Sequence, residues 1–447
     1  MRISRLRRLR SPARRRRAGG GGYHGAVADT SIRLRAASPG LIALPWLEPL
    51  GEWPPDAADF RELDVGPSRH LVRFVHADGV TYALKELPDR VADKEYRVLR
   101  DLEARELAAV HPVGLVDQPD TGNSILVTEF LTHSWQFRRL FRRLPRGLVK
   151  HRERLLDALA SLLVDLHRGG VFWGDCSLAN TLFKRDGQLL QAFLVDAETS
   201  EVHPTLTDGQ RALDLGILVE NVAGDLVDVA LETGEDGDRI DEDIAAAESV
   251  ADRYRALWEE LTHEETFGPD ERYKVEARVR RLNELGFAVD ELALEPVDGD
   301  RSRLRLKVAV ANRRFHSLEL ERLTGLDVGD GQAIVLRNDL RAYQSRLAAE
   351  GPATAVDDVA AGYRWRTEVF LPGMAKAAAA VGPDADPIQA YCDLLEVRWL
   401  LSEQAGHDVG EDAVLAALAR RQTPSESAAQ MVVAETATGS FPALDRP

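Results

Sequence analysis

The sequence predicts an α+β fold: a small sheet that opens on a hairpin, then a largely helical stretch, followed by a mostly helical α+β domain. Three observations carry this. Apolar, partly alternating runs at His70–Val75 and Val80–Lys85 meet across Ala77-Asp78-Gly79, and Asp-Gly favours the turn of a hairpin. Leu155, Leu156, Leu159, Leu162, Leu163 and Leu166 then recur at helical spacing until Gly169-Gly170 stops them. Past residue 245 helical patterns return, interrupted by one alternating run, Leu304, Leu306, Val308 and Val310 against Arg303, Arg305, Lys307 and Ala309.

A chain of 447 residues has room for two or three domains, and 44% apolar content is ample for ordinary cores. No apolar run is long enough to cross a bilayer, and the N-terminal arginines have no apolar stretch behind them, so a cytoplasmic location is the expectation. Cys176 and Cys392 are the only cysteines, which excludes a disulfide framework and a cluster of thiolates for zinc. Residues 1–22 carry nine Arg and no acid, so without them the formal charge moves from −16 to −25. A body that acidic is no general nucleic-acid-binding surface.

In chain order, Pro45, Pro49, Pro54 and Pro55 break any long element before residue 60, and irregular structure laid against the first lobe is expected there. After the hairpin, apolar residues at 96, 99 and 102 predict a helix over 93–102. Ser124–Leu131 is a buried-type strand that leads into a change of character, as a hinge between lobes should be. The leucine helix follows, and then Asp214–Val219 reads as a further buried helix. Residues 231–245 are acidic and glycine-containing and read as a surface loop or linker. Pro269-Asp270 opens a helix with Val275, Val279, Leu282 and Leu285 on one face and Gly286 at its end. Asp386-Pro387 opens another, with Ile388, Tyr391, Leu394 and Leu395 on its apolar side. The tail from Gln422 is rich in Ser, Ala and Thr and reads as disordered.

The chemistry concentrates at Gly170–Phe183 and Phe193–Glu198. Asp175 and Asn180 fall in the loop after the leucine helix, and Asp196 closes an apolar strand, so three oxygen-bearing side chains converge at strand ends. Asp and Asn also bend and cap backbone without any chemistry. Phosphoryl transfer, however, needs this set: a base that orients the attacking hydroxyl and hard oxygens that hold Mg²⁺ against phosphate.

Together, D-x-x-x-x-N at 175–180, the later Asp196 and the strand-borne Ala83-Leu84-Lys85 resemble the protein-kinase-like superfamily over residues 60–230, in particular its bacterial lipopolysaccharide (Kdo/heptose) kinase branch. Asp196-x-Glu198 adds kinship to the aminoglycoside and choline phosphotransferases. The whole chain is similar to a bacterial family in which such a half is joined to a C-terminal domain of unknown function. What the resemblance implies is a two-lobed protein-kinase-like fold and ATP-dependent phosphorylation, with Asp175 as base, Asn180 and Asp196 on Mg²⁺, and Lys85 on the phosphates. Glu95 would be the ion-pair partner of Lys85, with Glu103 the alternative. Ser68, in a loop with one glycine where kinases have three, would cover the nucleotide, and backbone groups from Glu129 to Leu131 would face adenine. Trp173-Gly174-Asp175 stands where the family has His-Arg-Asp.

The organisation expected is therefore a disordered Arg-rich tail (1–22), an N-terminal lobe with a leading irregular segment (23–123), a C-terminal catalytic lobe (124–245), a domain of unknown function (246–421) and a disordered tail (422–447). The function expected is phosphorylation of a hydroxyl on a small-molecule, sugar or lipid-linked acceptor. The rival is a pseudokinase acting as a nucleotide-responsive scaffold, and pocket depth decides between transfer of phosphate and of AMP. Arg138, Arg139, Arg142, Arg143, Arg146 and Lys150 form a basic run interleaved with Trp135, Phe137 and Phe141. Such a run either attracts an anionic acceptor to the cleft mouth or is an ordinary solvated helical face.

Overall fold

The computed structural model describes residues 31–35, 38–63, 69–118, 121–137, 140–141, 149–232, 240–267, 271–297, 300–349, 357–383, 385–424 and 427–430. The Arg-rich tail, Ser68 and the arginines of the basic run lie outside the described residues.

Strands β1 (Ile32–Leu34), β2 (Asp59–Arg61), β3 (Val72–Ala77), β4 (Val80–Pro88), β5 (Pro112–Asp117) and β6 (Asn123–Glu129) form one antiparallel sheet in the order β1-β5-β6-β4-β3-β2. The β3–β4 turn has the expected cause, since Asp78 and Gly79 sit at φ +50° and +85°. The register pairs Val72 with Lys85 and Ala77 with Val80. Alternation along β4 then turns Tyr82 and Leu84 to one face and Lys85 to the other.

Each face is covered. On one side the leading segment, with helix α1 (Pro39–Ile42) and a single helical turn at Leu50–Glu52, lays Leu41, Trp46, Leu50 and Trp53 against Val75, Tyr82, Leu84 and Val127. Both indoles donate to backbone carbonyls within the segment, Trp46 to Leu41 and Trp53 to Glu48, each at 2.9 Å. The flanking strands β1 and β2, three residues each, were not expected in this proline-rich stretch. On the other side lies α2 (Asp89–Ala104), which buries Ala92, Glu95, Tyr96, Leu99 and Leu102.

The second lobe holds β7 (Ser134–Gln136), α3 (Val149–Arg168), β8 (Val171–Phe172), the hairpin β9 (Thr181–Asp186) and β10 (Leu189–Leu194), β11 (Glu201–Val202), α4 (Asp208–Glu232) and α5 (Ile240–Thr262). The six leucines of α3 are all buried. Gly170 ends that helix region at φ +76°, where a Cβ would stand 2.3 Å from the His203 carbonyl oxygen.

The surface loop or linker expected at 231–245 falls partly on residues 233–239, outside the described residues, and is corrected on either side of them. Helix α4 runs to Glu232 and α5 begins at Ile240, and α5 buries Ala247, Val250, Ala251, Tyr254 and Leu261 in the same core as the α3 leucines. A boundary at 245/246 would cut this helix. Asp241, Glu242 and Asp243 occupy its first turn, where the helix dipole favours negative charge.

Beyond α5 come β12 (Glu265–Phe267), α6 (Arg272–Glu284), β13 (Phe287–Val297) and β14 (Asp300–Arg313), the strands ordered β12-β14-β13. The expected opening of α6 at Pro269-Asp270 lies outside the described residues. Helices α7 (Phe315–Thr324), α8 (Asp330–Ala349), α9 (Asp358–Trp365), α10 (Leu371–Val381), α11 (Pro387–Ala405) and α12 (Glu411–Ala419) then share a second core around Leu336, Leu340, Trp365, Phe370, Tyr391 and Val397. Asp386 caps α11 through the amides of Ile388 and Gln389, with Pro387 in the first turn as read from the sequence. The disorder expected from Gln422 onward is corrected for Ser427, Ala428 and Ala429, which are buried. Small side chains let this segment approach α11 closely enough for Glu396 to accept from the Ser427 hydroxyl at 2.8 Å and the Ala428 amide at 3.1 Å.

The C-terminal helices meet the second lobe through buried polar groups. Arg185 of β9 and Asp393 of α11 pair in a two-pronged contact at 3% and 4% exposure. Replacing Asp393 by Ala would strand the guanidinium in the interior, so urea unfolding of Asp393→Ala should show a loss of about 3–5 kcal/mol. A loss below about 1 kcal/mol would mean that the pair behaves as a hydrated surface contact.

Candidate active site

Strand β4 delivers Lys85 to the α2 side of the sheet, where Glu95 comes from the second turn of that helix. The ammonium lies 3.2 and 3.1 Å from the two Glu95 oxygens and 2.8 Å from Asp196 Oδ2. Glu103, the alternative partner, bonds Arg35 at 2.7 Å instead. Burial at 1% exposure pushes the Glu95 carboxyl up to about 7 against the opposing pull of Lys85. Burial also pulls on the Lys85 ammonium, downward, but Glu95 and Asp196 outweigh it and its pKa is raised.

Asp196 follows the end of β10, and its second oxygen accepts the Glu198 amide at 3.0 Å. Lys94 of α2 donates to the Glu198 carbonyl at 2.9 Å, which ties this segment to the first lobe a second time. The Val195 amide donates to the Asn180 carbonyl at 3.1 Å, so the two ends of the β9–β10 hairpin stand side by side. Asp175 and Asn180 meet directly: Asn180 Nδ2 donates to Asp175 Oδ2 at 3.0 Å. The other Asp175 oxygen accepts from Asn221 Nδ2 at 3.2 Å.

The loop carrying Asp175 is held from below by Asp214, fully buried, which accepts four donors: the amides of Trp173 (2.7 Å) and Gly174 (2.8 Å), the Cys176 thiol (3.2 Å) and His167 Nε2 (3.0 Å). Burial acts to raise the Asp214 carboxyl, but these bonds prevail and hold it below its ordinary value. A carboxylate only accepts, so His167 carries its proton on Nε2. Its Nδ1 then accepts from the Tyr254 hydroxyl at 2.7 Å, and burial lowers the imidazole pKa in keeping with a neutral ring. Trp173, two residues before Asp175, is completely buried. Asp214, in the second turn of α4, thus braces the backbone that leads into Asp175.

Asn221, His167 and Tyr254 were missed by sequence reasoning. A signal existed for the first: Asp214, Asn221 and Asp225 lie seven and four residues apart on α4, one polar stripe at helical spacing, and Asp225 accepts the Leu178 amide at 3.0 Å. Of the backbone groups expected at the hinge, the Glu129 amide is engaged by the His111 carbonyl and the Leu131 carbonyl by the Ser134 hydroxyl. The aromatics of the basic run are not at a surface. Trp135, Phe137 and Phe141 are buried, with Phe137 and Phe141 at a 4.0 Å ring separation, so these three side chains belong to the core and not to a solvated face.

The fold and this geometry define a two-lobed kinase-like half joined to a helical C-terminal region. Residues 74–224 match the lipopolysaccharide kinase (Kdo/WaaP) family, and residues 256–422 match a domain of unknown function, DUF4032. Among solved structures, one described as WaaP in complex with acyl carrier protein is similar at 20% identity, over 51% of this chain and 88% of that one, with a TM-score of 0.30. No curated protein matches the chain. No helix among the described residues is long and apolar enough to cross a membrane.

A carboxyl whose pKa is raised on folding stabilises the fold most below its unfolded value near 4.5, and that contribution is lost as pH rises through about 7. The stability of the wild type relative to Glu95→Gln should therefore fall by about 3 kcal/mol between pH 4.5 and pH 8 in denaturant titrations. A pH-independent difference would place the Glu95 pKa at its ordinary value.

Proposed function

We propose that the protein is an ATP-dependent phosphotransferase that phosphorylates a hydroxyl of a sugar or lipid-linked acceptor. The observation that carries this reading is the Lys85 ammonium shared between Glu95 and Asp196, beside a loop in which Asn180 clamps Asp175. The match of residues 74–224 to a kinase family supports it.

The donor set suits Mg²⁺. Asn180 commits its amide nitrogen to the side chain and carbonyl of Asp175, at 3.0 and 3.2 Å, which leaves its carbonyl oxygen to act as a ligand. With the Asp196 carboxylate this gives two hard oxygens, the type that magnesium takes alongside phosphate. Bound there, Mg²⁺ supplies charge neutralisation for the phosphate tail. Lys85 places an ammonium on the phosphates, with Glu95 holding it in position, and the Leu131 amide is the backbone donor assigned to adenine. Asp175 has each carboxylate oxygen fixed by one amide, from Asn180 and Asn221, so it is aimed before the acceptor arrives and takes the proton of the attacking hydroxyl. Its role is general base and orienting group, which is most of what phosphoryl transfer asks of a protein.

Asp196→Asn should weaken Mg·ATP binding by about tenfold or more in calorimetry and leave metal-free binding little changed. Asp175→Asn should leave Mg·ATP affinity within about twofold and lower turnover by about 10²–10⁴. Equal Mg·ATP affinity in wild type and Asp196→Asn would remove the metal assignment.

A further inference from the structure

The hairpin β9–β10 begins one residue after Asn180 and ends two residues before Asp196, so one two-stranded unit sets the spacing of both oxygen ligands. Its open end is closed by the Val195 amide on the Asn180 carbonyl. Its far end, Asp186-Gly187, is gripped by the C-terminal helices. Gln389 of α11 makes a reciprocal pair with Gly187, accepting from its amide and donating to its carbonyl at 2.9 Å each. Asp186 accepts the Gly331 and Gln332 amides at the start of α8, both at 2.8 Å. Gly187, at φ +62°, comes so close that a Cβ would stand 2.5 Å from the Gly331 carbonyl oxygen. One residue back along β9, Arg185 forms its buried pair with Asp393, and Gln389 Nε2 also bonds that carboxylate at 3.0 Å.

This contact is polar and desolvated. Apolar surfaces slide with small loss, whereas a buried network of directed bonds is satisfied in one register and penalises every other. All of the gripping residues, from 331 to 393, fall in the segment matching the domain of unknown function and outside the segment matching the kinase family.

We infer that the C-terminal domain is a positioning element of the phosphotransfer site: Asp393 and Gln389, acting through Arg185 and Gly187, hold the β9–β10 hairpin in the register that aligns Asn180 with Asp196. The inference rests on the reading of those two residues as metal ligands. It gives the C-terminal domain a task within the same reaction, and it makes the kinase-like half incomplete without that domain.

The test uses the full chain as Gln389→Ala, Asp393→Asn and the exchanged pair Arg185→Asp with Asp393→Arg. Gln389→Ala removes the two bonds to Gly187 and the one to Asp393 without stranding a charge, because Arg185 still pairs that carboxylate, so it remains informative if the Asp393 variants unfold. Two quantities are read: hydrogen exchange of the Val195 amide in protein without nucleotide, and the gain in ATP affinity on adding Mg²⁺. In Gln389→Ala and Asp393→Asn, Val195 exchange should rise about tenfold and the Mg²⁺-dependent gain should fall about tenfold, with metal-free ATP affinity within about twofold of wild type. The exchanged pair should recover part of both. Unchanged Val195 exchange in folded Gln389→Ala overturns the inference whether or not ATP binds. Raised exchange with an unchanged Mg²⁺-dependent gain reduces the grip to a structural clamp and overturns it as well. A wild type that gains no affinity from Mg²⁺ defeats the metal assignment itself, which separates failure of the proposed function from failure of the positioning role.

Discussion

One ammonium group shared by two carboxylates joins the lobes of this protein. Glu95 is buried to 1% exposure on a helix that packs against the sheet, and an isolated carboxylate there would be costly. Lys85 meets that need from the neighbouring strand, and the same ammonium reaches Asp196 in the second lobe at 2.8 Å. The position of α2, the exit of β10 and the approach of the lobes thus meet at this contact, with Lys94 on the Glu198 carbonyl as a second tie. Removing the Lys85 ammonium would leave the buried Glu95 carboxyl without its counter-charge, the kind of loss that costs about 3–5 kcal/mol in a buried pair.

A second polar centre does for the loop what the first does for the lobes. Asp214 gathers two amides, a thiol and an imidazole, and the imidazole is itself held by Tyr254 of α5. The stack runs from α5 through α3 and α4 into the backbone just before Asp175. With Asn221 and Asp225 it makes the inner face of α4 a polar stripe beneath an otherwise irregular segment. The loop therefore owes its shape to buried hydrogen bonds more than to its own turn preferences.

Much of this was legible in the sequence, for identifiable reasons. The Asp78-Gly79 hairpin, the leucine helix and the Asp386-Pro387 helix start are local signals whose physics is complete within a few residues. The order Lys85, Asp175, Asn180, Asp196 carried the family resemblance that the match over 74–224 then supplied independently. What stayed hidden depends on partners distant in sequence. Edge strands of three residues exist only because a sheet is there to receive them. A run of Ser and Ala looks disordered until Glu396 offers it hydrogen bonds. The partnership of Arg185 with Asp393 spans 208 residues, and no spacing rule reaches that far.

The C-terminal helices grip the β9–β10 hairpin of the kinase-like half, and the proposed reaction gives both halves a part in it. Phosphorus NMR of ATP incubated with Mg²⁺ and the purified full-length protein tests the central claim most directly. The account predicts loss of the γ-phosphate signal with formation of ADP and phosphate or a phosphomonoester, and loss of that reaction in Lys85→Met. Formation of AMP and pyrophosphate, or ATP consumed equally by wild type and Lys85→Met, would contradict it.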